Sequence, residues 1–137
     1  MLKLSGKHVQ VAVGFLVNFV SRSQLTVLVQ NCRGEERLYF RNPLVQTEKI
    51  IKSMPILYDQ ESLDQAVVHL HYFYGGNEWF IMENDAEQGI QHKAFGLAVV
   101  HEAELGYISI AELIQNGVEL DLHWTPGPLA KVKAKLA

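Results

Sequence analysis

The feature that most constrains the fold is an alternation of residue types around a pair of glycines in the middle of the chain. Residues 66–74 alternate as an extended strand does, with one apolar face formed by Val68, Leu70, Tyr72 and Tyr74. Gly75-Gly76-Asn77 follows, and adjacent glycines supply the positive φ angles of a tight hairpin turn. Residues 78–83 then read as a returning strand. This segment predicts an antiparallel β-hairpin.

The first 43 residues are also predicted to form strands. Segments 8–20, 25–30 and 36–40 are rich in β-branched and aromatic residues, and short polar connections separate them. Asn42-Pro43 is expected to end this run, because proline cannot donate to a sheet ladder. We therefore expect residues 1–43 to form an N-terminal three-stranded β extension packed with the main domain.

Residues 44–137 are expected to form the main domain, in which two short helices accompany the sheet. Thr47 is a candidate N-cap for a helix that ends before Pro55, and Ser109 for a helix that Asn116-Gly117 closes. Strands are expected at 94–100 and 118–124, and a basic tail at 130–137. The predicted fold class is α+β, with an antiparallel β-sheet, two short helices and the N-terminal β extension.

Composition limits the classes of protein to which the chain can belong. Its 137 residues, 48% hydrophobic and 20% charged, are typical of one globular domain and argue against disorder. Cys32 is the single cysteine, so no internal disulfide can form. The longest apolar stretch, residues 9–20, is too short to cross a bilayer as a helix. We expect a cytoplasmic protein without a membrane partner.

Charge is distributed unevenly along the chain. Residues 1–55 carry eight basic and three acidic side chains, whereas residues 56–128 carry twelve acids and only Lys93 as a base. Residues 129–137 add three lysines and no acid. Segments of opposite charge favour different partners, so the acidic middle segment and the basic ends suggest separate binding hypotheses.

The chain from about residue 47 to residue 132 resembles an uncharacterised family catalogued as domain of unknown function 2958. The order and spacing of several short motifs carry the resemblance. They are Met54-Pro55, Tyr58-Asp59-Gln60-Glu61, Trp79 to Asp85, Phe95-Gly96-Leu97, Glu104-Leu105-Gly106-Tyr107, Glu112-Leu113, Asp121-Leu122 with Trp124, and Pro126-Gly127-Pro128-Leu129. The chain departs from the family at His71, where the family usually has lysine, and at Leu120, where it has arginine.

The resemblance implies a genetic context without implying an activity. Members of the family are found mostly on plasmids and conjugative elements, beside antirestriction and transfer genes. No activity is established for the family, and the first 43 residues have no counterpart in it. A basic site built from the two departing positions would be lost in this chain.

Acidic residues of the middle segment are the predicted partner-binding residues. The set is Asp59, Glu61, Asp64, Glu83, Asp85, Glu87, Glu102 and Glu104. A surface of this charge can occupy a channel that a partner lines with lysine and arginine. Glu83, Asp85 and Glu104 also fall on the family motifs, so a carboxylate-based active site is an alternative. In that case Mg²⁺ is a conceivable ligand.

His69, His71 and the Glu104–Tyr107 motif are further candidates. His69 and His71 lie two residues apart on a strand and therefore share a face, which is one way to begin a zinc site. We expect no metal and no cofactor, because the histidines fit a partly exposed sheet face and the chain has no glycine-rich phosphate loop. We expect Glu104–Tyr107 to form a structural turn, with Gly106 at positive φ or close to another backbone.

The leading functional hypothesis is a non-enzymatic accessory or anti-defence protein of a mobile genetic element. It would bind and inhibit a host nucleic-acid-handling protein, such as a CRISPR or restriction complex, through the acidic surface. One alternative is a nucleic-acid-binding module that uses the basic N-terminal unit and the C-terminal lysines. The other is a small carboxylate-based enzyme. The sequence does not determine the oligomeric state.

Overall fold

The computed structural model describes residues 6–32, 37–55, 65–84 and 93–136, and it confirms the α+β class. Its main sheet has five antiparallel strands in the order β5-β4-β3-β2-β6. In chain order the strands of this sheet are Leu70–Tyr74 (β2), Asn77–Asn84 (β3), Ala94–Val99 (β4), Ala103–Ile108 (β5) and Glu119–Leu120 (β6). A separate two-stranded pair joins Val67–Val68 (β1) to Gly127–Pro128 (β7).

The hairpin predicted around the two glycines is confirmed. Gly75 and Gly76 have φ angles of 53° and 88°, so both central residues of the turn lie in the left-handed region that favours glycine. Tyr74 pairs with Asn77 beside the turn, and Leu70 pairs with Ile81 at the far end of β2. β3 becomes the central strand of the sheet, between β2 and β4.

The predicted N-terminal β extension is wrong, because this part of the chain is helical where the structure describes it. Helices Gly6–Leu16 (α1) and Arg22–Asn31 (α2) stand where two strands were predicted. Ala12 and Leu16 are both fully buried, four residues apart, which is the spacing of one helix face. The hydroxyl of Ser21 accepts a hydrogen bond from the Gln24 N–H at 3.3 Å and so caps α2.

The third predicted strand and the first predicted helix belong to one helix, Arg37–Lys52 (α3). Pro43 lies inside α3 and does not end an element as expected. Thr47 is not an N-cap, because its hydroxyl donates to the Pro43 carbonyl one turn earlier at 2.7 Å. α3 thus runs across the boundary that the sequence placed after residue 43.

The predicted helix near residue 110 is confirmed as Ile110–Gln115 (α4), together with both of its caps. The Ser109 hydroxyl accepts from the Glu112 N–H at 3.2 Å. Gly117, at φ 76°, donates to the Ile114 carbonyl, and the Val118 N–H donates to Leu113, which is the Schellman ending. The basic tail is the helix Leu129–Leu136 (α5), so the described chain has five helices and not two.

The core consists of two buried clusters. The larger one contains Leu16 of α1, Phe19 of the turn that follows it and Leu44 of α3, with Tyr72 and Ile81 from the sheet. The buried Tyr72 hydroxyl donates to the Phe19 carbonyl and joins the two parts, and burial raises the pKa of this phenol. The smaller cluster includes Phe80, Leu97, Leu129 and Val132 and packs α5 on the sheet. None of the described helices is long and apolar enough to cross a membrane.

Gly14→Ala is expected to raise the free energy of unfolding by about 0.5–1 kcal/mol. Gly14 lies inside α1, and a Cβ there would have no described heavy atom within 4 Å to meet. Gly75→Ala serves as the matched control of opposite sign, because alanine is strained at a φ of 53°. Urea unfolding of both variants measures the effect. A loss of stability in Gly14→Ala would show that Gly14 is not a helical position with open space around its Cβ.

Candidate functional site

A histidine that contacts two carboxylates forms a polar cluster at the edge of the sheet formed by β2 and β6. His71 Nδ1 lies 3.1 Å from Asp121 Oδ2, and His71 Nε2 lies 2.9 Å from Glu78 Oε1. The His71 side chain is only 12% exposed. Each ring nitrogen of His71 therefore lies within hydrogen-bonding distance of a carboxylate oxygen of the protein.

Aromatic rings hold the same imidazole from its sides. The ring centroids of His71 and Phe80 are 4.8 Å apart at an interplanar angle of 14°, so the two rings stack. The Trp124 ring lies 5.1 Å from His71, and its indole N–H donates to the Val68 carbonyl at 3.1 Å. The hydrogen bond fixes the orientation of the indole. His71, Phe80 and Trp124 thus form one cluster of contacting rings, called the aromatic wall here.

The segment after β6 brings Asp121 and Trp124 to His71. The Asp121 N–H donates to the His71 carbonyl at 2.8 Å and continues the edge pairing of β6 with β2. Asp121 Oδ1 accepts from the His123 N–H at 3.0 Å, which turns the chain toward Trp124. Gly127–Pro128 then pairs with Val67–Val68 and leads directly into α5.

A cavity of about 510 Å³ lies between this wall and helix α5. His71, Glu78, Asp121 and Trp124 line it, and so do Lys131 and Lys135. The two lysines are four residues apart and therefore share one face of α5. Neither lysine forms an ion pair with any carboxylate that the structure describes. Carboxylates and amines thus line one cavity of the size common for small-ligand sites.

The motif Glu104-Leu105-Gly106-Tyr107 is part of edge strand β5, so its prediction as a turn is wrong. The positive-φ glycines of the described chain are Gly75, Gly76 and Gly117, and a Cβ at Gly106 would have open space around it. Leu105 is 37% and Tyr107 54% exposed, on the same face of the strand. The Lys93 amine lies 4.2 Å from the centre of the Tyr107 ring. The motif presents apolar side chains to solvent.

The predicted acidic residues do not all belong to one described surface. Glu102 and Glu104 are exposed in and beside the turn between β4 and β5. Glu83 is only 6% exposed, so it does not contribute to a surface. The other five lie outside the described residues: Asp59, Glu61, Asp64, Asp85 and Glu87.

The structure separates the two described members of the proposed carboxylate site. Glu83 lies on β3 and Glu104 on β5, and β4 runs between these strands. Glu83 pairs with Phe95 of β4, whereas Glu104 pairs with Ala98 three residues further along. Two strand spacings alone place the backbones about 10 Å apart. These two carboxylates cannot act on one reacting atom in this arrangement.

His69 and Cys32, the other candidates from the sequence, are partly or fully buried in the fold. Burial lowers the pKa of His69, and no group of three metal-ligating side chains is found among the described residues. Cys32 ends α2 and is 2% exposed. Burial raises the pKa of its thiol, and the positive charge of Arg41 acts in the opposite direction.

Sequence reasoning did not group Glu78, Asp121 and Trp124 with the two lysines that line the cavity. The hairpin register contained part of the signal, because Glu78 pairs with Phe73 and therefore shares a face with His71. Asp121 lies fifty residues from His71 in the chain, and no local pattern links the two. The C-terminal lysines were interpreted as one basic tail, but Lys133 faces a different groove from Lys131 and Lys135.

No family model, no curated protein and no solved structure matches the chain. The resemblance to domain of unknown function 2958 therefore stays a prediction. The described residues form two candidate surfaces, the β4–β5 hairpin and the cavity beside His71.

Proposed function

We propose that the protein is a non-enzymatic accessory or anti-defence protein of a mobile genetic element. It binds and inhibits a host nucleic-acid-handling protein, a CRISPR or restriction complex, in the cytoplasm. The contact surface is the β4–β5 hairpin, defined here as residues 94–108. The observation that carries the proposal is the exposure of Leu105 and Tyr107 on an edge strand beside Glu102 and Glu104.

Edge strand β5 offers the geometry for docking a partner. No described strand pairs with its outer edge, and such an edge presents backbone donors and acceptors to another chain. Tyr107 is 54% exposed, and tyrosine is among the residues that most often anchor protein interfaces. The apolar side chains would supply most of the affinity.

The carboxylates beside the edge would select the partner. Glu102 and Glu104 are exposed where β4 turns into β5, and they suit a surface rich in lysine and arginine. Proteins that handle nucleic acids have such surfaces, because they neutralise phosphates. Exposed ion pairs contribute only about 0–1 kcal/mol each, so their main effect is on association rate and specificity. The proposal corrects the sequence hypothesis by leaving out the buried Glu83.

The resemblance to a family of mobile elements supports the choice of partner class. It supplies the genetic context, and the hairpin supplies the surface. The basic C-terminal lysines give weaker support to the alternative of direct nucleic-acid binding, since they do not lie on one face of α5.

Glu102→Gln/Glu104→Gln is expected to slow association with the host partner about fivefold and to leave the stability of the protein unchanged. Glu112→Gln/Glu119→Gln removes the same charge from exposed positions on α4 and β6 and serves as the matched control. The partner is first captured from host lysate with and without nuclease. Association is then measured with the purified pair at several salt concentrations.

Three results would contradict the proposal. Partner binding that responds neither to salt nor to the Glu102 and Glu104 changes would exclude electrostatic selection. Capture that disappears after nuclease treatment, together with direct binding of the protein to DNA, would favour the nucleic-acid-binding module instead. An equal loss in the control variant would show that only total charge matters.

A further inference from the structure

We propose that the cavity between β2 and α5 binds a nucleoside monophosphate whose base carries an amino group. This inference is independent of the partner-binding proposal, because the cavity shares no lining residue with the exposed edge of β5. Its support comes from three sets of lining groups: two amines, an aromatic wall and a carboxylate oxygen.

The two lysine amines indicate that one end of the ligand is anionic. Lys131 and Lys135 lie on one face of α5, both line the cavity, and neither pairs with a described carboxylate. A phosphate monoester carries about −1.5 to −2 charges at neutral pH. Two lysine amines match that charge, and lysine binds phosphate well as a point charge.

The aromatic wall indicates that another part of the ligand is a flat ring. Trp124 lines the cavity, is partly exposed and is fixed by its hydrogen bond to the Val68 carbonyl, and it lies against His71, which stacks on the buried Phe80. Both nitrogens of His71 lie within hydrogen-bonding distance of carboxylates, so the imidazole offers the cavity no free donor. The indole of Trp124 is the ring on which a base can stack.

A carboxylate oxygen without a partner among the described residues is the reason for proposing an amino group on the base. Asp121 uses one oxygen for His71 and the other for the His123 N–H. Glu78 uses Oε1 for His71, and Oε2 has no hydrogen-bond partner among the described residues. This oxygen can accept from an exocyclic amine, as carboxylates do when they recognise amino groups on bases.

The dimensions of the cavity agree with a ligand of this kind. Its volume of about 510 Å³ lies inside the range of about 300–1,000 Å³ that is usual for small-ligand sites. The amines belong to α5, whereas Glu78 belongs to β3 on the sheet. A ligand with a phosphate at one end and an amine at the other satisfies both sides together.

The test is titration calorimetry of the full chain with four ligands. Adenosine monophosphate is expected to bind at least tenfold more tightly than adenosine, which lacks the phosphate, or inorganic phosphate, which lacks the ring. Inosine monophosphate differs from it by having oxygen in place of the exocyclic amine. It is expected to bind at least fivefold more weakly.

Variants assign the effects to residues. Lys131→Gln/Lys135→Gln is expected to weaken adenosine monophosphate binding at least tenfold, whereas the control Lys133→Gln/Lys49→Gln leaves it unchanged. Glu78→Gln keeps an oxygen for His71 and replaces the free acceptor with a donor. It is expected to remove the preference for adenosine monophosphate over inosine monophosphate, and a thermal melt of each variant checks folding.

Several outcomes would overturn the proposal. One is no binding of adenosine monophosphate at millimolar concentration, and another is equal binding of inorganic phosphate alone. An equal loss in the control lysine variant would show that the binding is non-specific. A 5′-phosphorylated oligonucleotide that binds a hundredfold more tightly than the mononucleotide would assign the site to a nucleic-acid strand. The oligonucleotide result would also favour the nucleic-acid-binding alternative, whereas the other results leave the partner capture unaffected.

Discussion

Gly96→Ala is expected to lower the free energy of unfolding by about 3 kcal/mol. A Cβ at this position would lie 1.9 Å from the Phe80 carbonyl oxygen and 2.9 Å from its carbon. Both are backbone atoms of the central strand, so no side-chain rotation can relieve the clash. Overpacking in a core typically costs about 1–3 kcal/mol, and a backbone obstruction belongs at the upper end. Urea unfolding of the purified variant measures the loss.

Gly106→Ala is the matched control on the neighbouring strand. Gly106 pairs with Gly96 in the register of β4 and β5, but a Cβ there would have no described heavy atom within 4 Å. We expect a change of less than about 0.5 kcal/mol, as for other unobstructed surface positions. Similar stabilities for the two alanine variants would show that β3 and β4 do not approach closely at Gly96.

Phe19→Ala is expected to lower the free energy of unfolding by about 3–5 kcal/mol, which is the usual cost of removing a buried phenylalanine. Phe19 is 0% exposed and belongs to the larger core cluster. Its ring stacks on Phe15 at 5.6 Å, and its carbonyl accepts from the buried Tyr72 hydroxyl. Denaturant titration followed by circular dichroism checks the effect.

Val17→Ala tests whether this segment packs as the structure shows or forms the strand that the sequence predicts. In a strand, Val17 and Phe19 share a face, and both truncations would be costly. In the structure Val17 is 53% exposed while Phe19 is buried. We expect Val17→Ala to change stability by less than about 0.5 kcal/mol. Comparable losses at both positions would restore the strand interpretation.

The elements that the sequence predicted well are those with local determinants. Gly75-Gly76 sets the hairpin turn by its own backbone preference, and Ser109 with Gly117 sets both ends of α4. Each of these signals acts within a few residues, so no tertiary information is needed to interpret it. The antiparallel sheet and the α+β class follow from them.

The N-terminal prediction failed because the hydrophobic pattern of this segment fits both the period of a strand and the period of a helix. Val9, Val11 and Val13 alternate as in a strand, yet Ala12 and Leu16 have the spacing of a helix face. The contacts of α1 with α3, and the shared core that Leu16 and Phe19 form with the sheet, decide between them, and these are not encoded in the local alternation. β-branched residues lower helix propensity only slightly, so tertiary packing outweighs it.

The candidate site was only partly predictable for a related reason. His71 was placed correctly on a sheet face, but its partners Asp121 and Trp124 reach it through the fold and not through spacing. Glu83 was expected on an acidic surface because it is charged. Its position on the central strand buries it instead, which charge alone does not reveal.

The pairing of β7 with β1 has a consequence for the order of assembly. Strands β2 and β3 meet through a two-residue turn, whereas Pro128 meets Val67 only after some sixty intervening residues have been placed. Nearby contacts form faster than distant ones, because less chain entropy is lost on closing them. The two tryptophans lie in parts of the chain that are expected to assemble at different times. We expect Trp79 in the hairpin to report an early stage of refolding and Trp124 to report the late closure that completes the cavity beside His71.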